Sequence, residues 1–152
     1  MTRYLLDTNT VSEPARKRPD PQVLARLEAH EGETAIAAVV WHELVYGLER
    51  MPPGRRRDYV AGYLLDVVRP THPVLPFDAA AAEWLARERA RLDARGTPRP
   101  LVDGMVAATA ATRGLILSTR NTDDVAGYDG LHVENWFTDA GDEPDGTSNP
   151  AS

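Results

Sequence analysis

Short apolar runs, each bounded by polar residues and separated by longer segments with helical spacing, limit what this chain can fold into. The strongest runs are residues 3–6 (RYLL), 34–39 (TAIAAV) and 115–118 (LILS). Two weaker ones fall at 74–77 and 131–133. Runs of this length read as strands rather than helices. They are nearly continuous in apolar character, as expected of strands covered on both faces. Alternation of such strands with helices predicts an α/β fold, a parallel β-sheet flanked by helices. In these sheets ligands bind beyond the carboxyl ends of the strands, near the point where strand order reverses.

The intervening segments support the pattern. Residues 9–17 and 21–30 read as helical pieces broken by Pro19 and Pro21. From Val40, apolar residues recur at Val40, Trp41, Leu44, Val45 and Leu48, until Pro52 and Pro53 end the helix. Residues 54–67 predict another helix, with Tyr59, Tyr63 and Leu64 on one side. Asp78 is placed to cap a long helix ending near Ala94, with Glu83, Arg87 and Arg91 on an outer charged face. After a loop at 96–100, residues 101–112 predict an alanine-rich helix packing through Val102, Met105, Val106 and Ala110, with Gly114 at its end. Trp136 and Phe137 are placed to close the core. The folded domain is therefore expected over residues 1–137. Residues 138–152 form an acidic segment without Lys or Arg that is expected to be disordered.

That segment also explains the charge. The formal net charge is −6, and Asp139, Asp142, Glu143 and Asp145 supply four of the acids. Without them, 19 acids face 17 bases, so the body is near −2. No global positive field exists to attract a polyanion. Binding of one would need local cations or a metal. Lys17 is the only lysine among those 17 bases. The other bases are arginines, permanently charged and suited to bidentate phosphate contact. There is no cysteine, which rules out disulfides, thiol nucleophiles and thiolate zinc sites. No apolar run approaches the ~20 residues needed to span a bilayer. The N-terminus does not read as a signal peptide. A soluble, cytoplasmic protein is the expectation.

Asp7, Glu43, Asp103 and the pair Asp123–Asp124 stand apart from the general surface acids. Each lies at the end of a predicted strand or near the start of a predicted helix. In a parallel sheet those ends share one edge, so four distant carboxylates can meet there. Gathered carboxylates repel each other and require a cation. A donor set of oxygens without thiols favours Mg²⁺ or Mn²⁺ over zinc. Each acid also has a separate structural reading: Asp7 as a helix cap, Glu43 as a surface residue, Asp103 as a complement to a helix dipole. His42 adjoins Glu43, but neighbours on a helix point about 100° apart. His30, His72 and His132 are scattered and suggest no site. Arg120 after the strand at 115–118 suits either a substrate phosphate or a surface ion pair, and Arg55–Arg56–Arg57 reads as a solvated helix start.

Four segments carry a family resemblance: YLLDTNTVSE, WHELVYGLER, PRPLVDGMVAATAATRG and ILSTRNTDDVAG. In this order and spacing they resemble the PIN domain, most of all VapC-type toxins of bacterial type II toxin–antitoxin pairs and their FitB-like branch. The resemblance runs from about residue 3 to Phe137. It implies a PIN-like (Rossmann-like) sheet and a Mg²⁺- or Mn²⁺-dependent ribonuclease leaving a 5′-phosphate and a 3′-hydroxyl. The family's acids fall on Asp7, Glu43 and Asp103. The fourth position falls on Asp124 in preference to Asp123, with Asn121 as a polar participant and Val125 where the branch usually has an aromatic. Thr8, Asn9 and Thr119 match small polar positions that support the carboxylates or a metal-bound water. The resemblance also implies a homodimer and inhibition by a cognate VapB-type antitoxin. Operator DNA would be reached only through that antitoxin. Trp41, Tyr46, Tyr59 and Tyr63 are candidates for groove or dimer contacts.

Two other acidic-site families are disfavoured by the residues themselves. DTNTV is close to the first motif of haloacid-dehalogenase-type phosphatases, but Asn9 replaces their second aspartate. Those phosphatases, and receiver-like signalling domains, need a lysine late in the sheet, and none follows Lys17. A catalytically inactive PIN-type binding module is the remaining alternative, disfavoured by the intact acids.

Overall fold

In the computed structural model, residues 1–141 are described. Five strands form one parallel sheet: β1 (Tyr4–Leu6), β2 (Thr34–Ala37), β3 (Val74–Leu75), β4 (Ile116–Ser118) and β5 (His132–Glu134), in the order β3-β2-β1-β4-β5. Strand order thus reverses between β1 and β4, where Leu6 lies opposite Ser118. All three residues of β1 are buried, with Leu5 and Leu6 fully so. Successive strand residues point to opposite faces, so both faces of the central strand are covered. This agrees with the layered fold expected from the apolar runs.

The elements follow largely as predicted, with four shifts. Helix α1 (Thr8–Ser12) is short and gives way to a 3₁₀ turn, Glu13–Ala15, before α2 (Pro21–Ala29). The Ser12 hydroxyl donates back to the Thr8 carbonyl at 2.6 Å, and Pro14 lacks the N–H that a longer helix would need. Helix α3 (Ala38–Glu49) begins two residues earlier than its spacing suggested. The register explains this: β2 pairs with β1 only over Thr34, Ala35 and Ile36, so the apolar run turns into helix at the sheet edge. Helix α4 (Arg55–Gly62) continues through a π-helical stretch, Tyr63–Val68, into the short α5 (Arg69–Thr71). The last strand is displaced one residue to His132–Glu134.

Asp78 caps α6 (Ala79–Ala94) as expected, accepting the Ala81 N–H at 3.0 Å. Helix α7 (Leu101–Ala111) then leads through Gly114, whose φ of +65° permits the turn into β4. Trp136 and Phe137 are buried and close the core. Of the segment read as a tail, Thr138–Gly141 forms the short helix α8. Residues 142–152 lie outside the described residues. Among the described residues, no helix is long and apolar enough to cross a membrane.

Asp20 anchors that C-terminal end. Its carboxylate caps α2 through the Gln22 N–H at 2.9 Å and also accepts the Thr138 N–H at 2.8 Å and hydroxyl at 2.6 Å. Asp20→Ala removes a helix cap and the α8 anchor together. It should destabilise the protein by roughly 1–2 kcal/mol in urea unfolding, toward the upper end of what a single cap contributes.

Candidate active site

Asp7 is the first residue after β1. Its N–H donates to the Ser118 carbonyl at 2.9 Å, which extends the β1–β4 ladder to the edge of the sheet. Its extended backbone then turns into α1, and its carbonyl accepts the Thr10 and Val11 N–H groups. The side chain is buried, at 7% exposure, and both oxygens are engaged. Oδ1 accepts the Thr8 N–H at 2.8 Å, and Oδ2 accepts the Thr119 hydroxyl at 2.7 Å. Asp7 therefore is a helix cap, and it also faces the crevice where strand order reverses.

Thr8 and Thr119 orient the neighbouring groups. The Thr8 hydroxyl donates to Glu43 Oε1 at 3.2 Å, tying α1 to α3. Thr119 Oγ1 accepts the Asn121 N–H at 3.0 Å while donating to Asp7, so it links the β4 loop to the first carboxylate. Asn9 serves the same loop: its Oδ1 accepts the Arg120 N–H at 3.4 Å and faces the Thr10 hydroxyl at 3.5 Å. The Asn121 side chain itself is exposed.

Asp103 lies in the first turn of α7, and Asp124 in the 3₁₀ turn Thr122–Val125. Both are half-buried, whereas Asp123 is exposed. Burial pushes the Asp103 carboxyl up to about 6, and the negative charges of Asp7, Asp124 and Glu43 add to the rise. Asp7, Glu43 and Asp124, from three other segments, thus lie within electrostatic reach of Asp103. None of the four has a salt-bridge partner among the described residues. Nor do three or more His, Asp or Glu side chains already stand in a metal-gripping arrangement among those residues. An oxygen-only set of uncompensated negative charges fits a hard divalent cation, which would neutralise the repulsion and draw the groups together.

The remaining candidates lie elsewhere. His42 is exposed and stacks on Tyr46. His30 bonds Glu33, His72 is buried against the Thr34 hydroxyl, and His132 is exposed. Arg120 takes the ion-pair role, reaching Asp139 at 3.2 Å and lying over the Phe137 ring. Arg57 caps the end of α3 by donating to the Leu48 and Met51 carbonyls. Trp41 and Tyr63 pack partly against the core, while Tyr46 and Tyr59 are each 55% exposed.

Three acids that sequence spacing did not single out hold the site's supports. Glu13 is buried and accepts the Asp20 N–H at 2.8 Å, fixing the loop after α1. Asp20 could have been noticed, because Asp followed by Pro is a helix-start signature. Glu88, also buried, bonds Arg91 at 2.7 Å and accepts the Asp129 N–H at 2.7 Å. It thereby ties α6 to the loop following Asp124, and the Arg91 hydrogen bond holds its carboxyl below the usual range. Next to Asp103, Gly104 leaves room for Leu85 and Tyr128. A Cβ there would come within 2.8 Å of Leu85 Cδ1 and Tyr128 Oη.

Comparison with known proteins places this geometry in context. Residues 4–130 match the PIN domain family. The tRNA(fMet)-specific endonuclease VapC of Shigella flexneri is 34% identical over 137 residues, covering 90% of this chain and 99% of the relative. The crystal structure of FitAcB from Neisseria gonorrhoeae superimposes with a TM-score of 0.81 at 30% identity, covering 87% of this chain and 96% of that one. DNA-bound VapBC from Salmonella typhimurium gives a TM-score of 0.77 at 27% identity, covering 90% and 99%.

The raised Asp103 sets a measurable pH dependence. A carboxyl whose folded pKa of about 6 exceeds its reference value of 3.8 holds its proton more tightly in the folded state. It therefore destabilises the fold above about pH 6 and is neutral in effect below about pH 4. Solvent screening at this half-buried position leaves an effect on the order of 1 kcal/mol. In EDTA at pH 7, Asp103→Asn should unfold at higher temperature than the parent protein. That gain should fade as the pH is lowered from 6 to below 4.

Proposed function

The chain belongs to the PIN-domain family, and from that premise we propose that it is an endoribonuclease, the toxin of a type II toxin–antitoxin pair, acting through a divalent metal. The observation that carries this reading is the group of four acids at the strand-order reversal, without a compensating cation among the described residues. Mg²⁺, or Mn²⁺ in its place, suits an all-oxygen donor set. Such an ion lowers the pKa of a bound water and offsets charge developing on the scissile phosphate.

The chain's own groups divide the work. Asp7 and Asp103 would hold the principal ion. Glu43, positioned by the Thr8 hydroxyl, would complete its shell or orient the attacking water. Asp124 would support a second ion or a water. Thr119 fixes Asp7 in one rotamer and holds the loop through Asn121. Asn9 keeps that loop against α1 and has no acidic proton to give. The mechanism therefore depends on a metal-activated water, with no side-chain acid at position 9.

The partners follow from the same reading. RNA is the substrate, a cognate VapB-type antitoxin the inhibitor, and a second copy of the chain the dimer partner. DNA is contacted only through the antitoxin, consistent with the DNA-bound VapBC assembly of the Salmonella relative. Cytoplasmic residence belongs to this reading too.

Purified protein should cleave single-stranded or structured RNA with Mg²⁺ or Mn²⁺ and lose that activity in EDTA. Asp7→Asn and Asp103→Asn should each lower kcat by about 100-fold or more, the scale of losing a group that stabilises the transition state. Cleavage that survives both substitutions overturns the site. Asp124→Asn should cost at least about tenfold, and Asp123→Asn less than about twofold. Equal losses at the two would move the fourth position.

A further inference from the structure

A second charged feature lies on the segment after α1 and the start of α4. Arg16, Lys17, Arg18 and Arg56 line an open cleft of about 530 Å³. Arg16 is held at 3.5 Å from Glu13. Lys17, Arg18 and Arg56 are exposed and have no acidic partner among the described residues. Of the other thirteen arginines, six (Arg3, Arg26, Arg57, Arg91, Arg113 and Arg120) pair with carboxylates, so what sets this group apart is that its cations line one cleft together. On a body near −2, a group of uncommitted cations lining one cleft is a local reversal of sign.

The cleft is a fixed structure. Its first wall follows α1 directly and is pinned by the buried Glu13, which accepts the Asp20 N–H. Its second wall, α4, is tied to α1 because the Tyr63 hydroxyl donates to the Val11 carbonyl at 2.7 Å. Arg56 lies over the ring of Tyr59, which is 55% exposed. Cations beside an exposed aromatic face suit a single-stranded nucleic acid, whose phosphates take the charge and whose bases stack. Arg16 is nine residues beyond Asp7, mostly through helical backbone, a rise of roughly 15 Å. That is a few nucleotides of single strand.

We infer that this cleft is an RNA-backbone site, separate from the carboxylate crevice, that holds the strand flanking the scissile bond. The inference rests on the ribonuclease reading and adds what that reading lacks, a source of substrate affinity on a chain without a positive field. The acidic crevice repels phosphates, and a metal neutralises only those at the reacting centre. The cleft supplies the rest of the grip.

The test compares the full-length protein with the triple variant Lys17→Gln, Arg18→Gln, Arg56→Gln. A control, Arg87→Gln, Arg89→Gln, Arg95→Gln, removes the same charge from exposed positions on or just beyond α6. Binding of a fluorescent 20-nucleotide single-stranded RNA is measured across salt concentrations, alongside cleavage with Mn²⁺. The cleft variant should bind about tenfold more weakly at 0.1 M salt, and the slope of log affinity against log salt should fall by about 2, for three lost contacts. KM should rise in parallel with kcat within about twofold, and the control should match the parent. Equal losses in the control, or unchanged RNA affinity in the cleft variant, overturn the inference. So does loss of antitoxin affinity alone, which would assign the cleft to a protein partner. RNA that is bound through the cleft but never cut overturns the nuclease reading instead.

Discussion

The interaction on which this structure turns is the short hydrogen bond from Thr119 to Asp7 across the β1–β4 seam. Burying a carboxylate at 7% exposure is expensive unless its oxygens are engaged. Here one oxygen takes the first backbone N–H of α1 and the other takes a hydroxyl from the neighbouring strand's loop. The same contact joins the two halves of the sheet at the point where strand order reverses. Apolar burial of Tyr4, Leu5 and Leu6 fixes how far β1 reaches. That reach decides where the carboxylate stands. A one-residue slip of β1 would either place Leu6 at the crevice or, in the other direction, bury Asp7 in the core.

Once Asp7 is fixed, Asp103 acts against stability. Asp103 is raised by burial and by the charges around it, a local conflict that packing elsewhere must offset. The supports are placed accordingly. Glu88 and Arg91 tie α6 to the loop after Asp124, and Gly104 lets Leu85 and Tyr128 approach the helix beside Asp103. Like-charge repulsion held in a rigid frame is a reservoir that cation binding can release, because an ion that binds only the folded state stabilises it. On the proposed reading, function and frustration occupy the same residue, Asp103.

How far this could be read from the chain differs between levels. The sheet was visible because its strands are continuous apolar runs, and the positions of Asp7, Glu43 and Asp103 at element ends followed from it. The resemblance of four segments then narrowed the chemistry beyond what spacing allowed. The exact hand-over from strand to helix at Ala38 was hidden, since Ala38 and Val39 extend the apolar run and only pairing with the three-residue β1 shows where it stops. The π-helical stretch at Tyr63–Val68 was hidden too; nothing local in YLLDVV announces it. Glu13 and Glu88 look like ordinary surface acids in sequence. Their burial depends on loops that arrive from seven and forty-one residues away. The resemblance favoured Asp124 over Asp123, and the structure separates the two by exposure: Asp124 is half-buried and Asp123 exposed.

The distribution of charge carries the last step. An active site made of acids cannot attract a polyanion by its own field, and at 8–10 Å of screening length distant arginines contribute little. Several arginines are paired with Glu33, Glu49, Glu88 and similar acids. On the reading proposed above, RNA would be drawn by a metal acting at one phosphate and by cations grouped on another part of the surface. The loop after α1 and the start of α4 hold such a group. Arginine's permanent charge makes it insensitive to the pH range over which Asp103 titrates. If the proposed roles hold, substrate affinity and metal loading are set by different residues and can be separated by salt in one case and pH in the other.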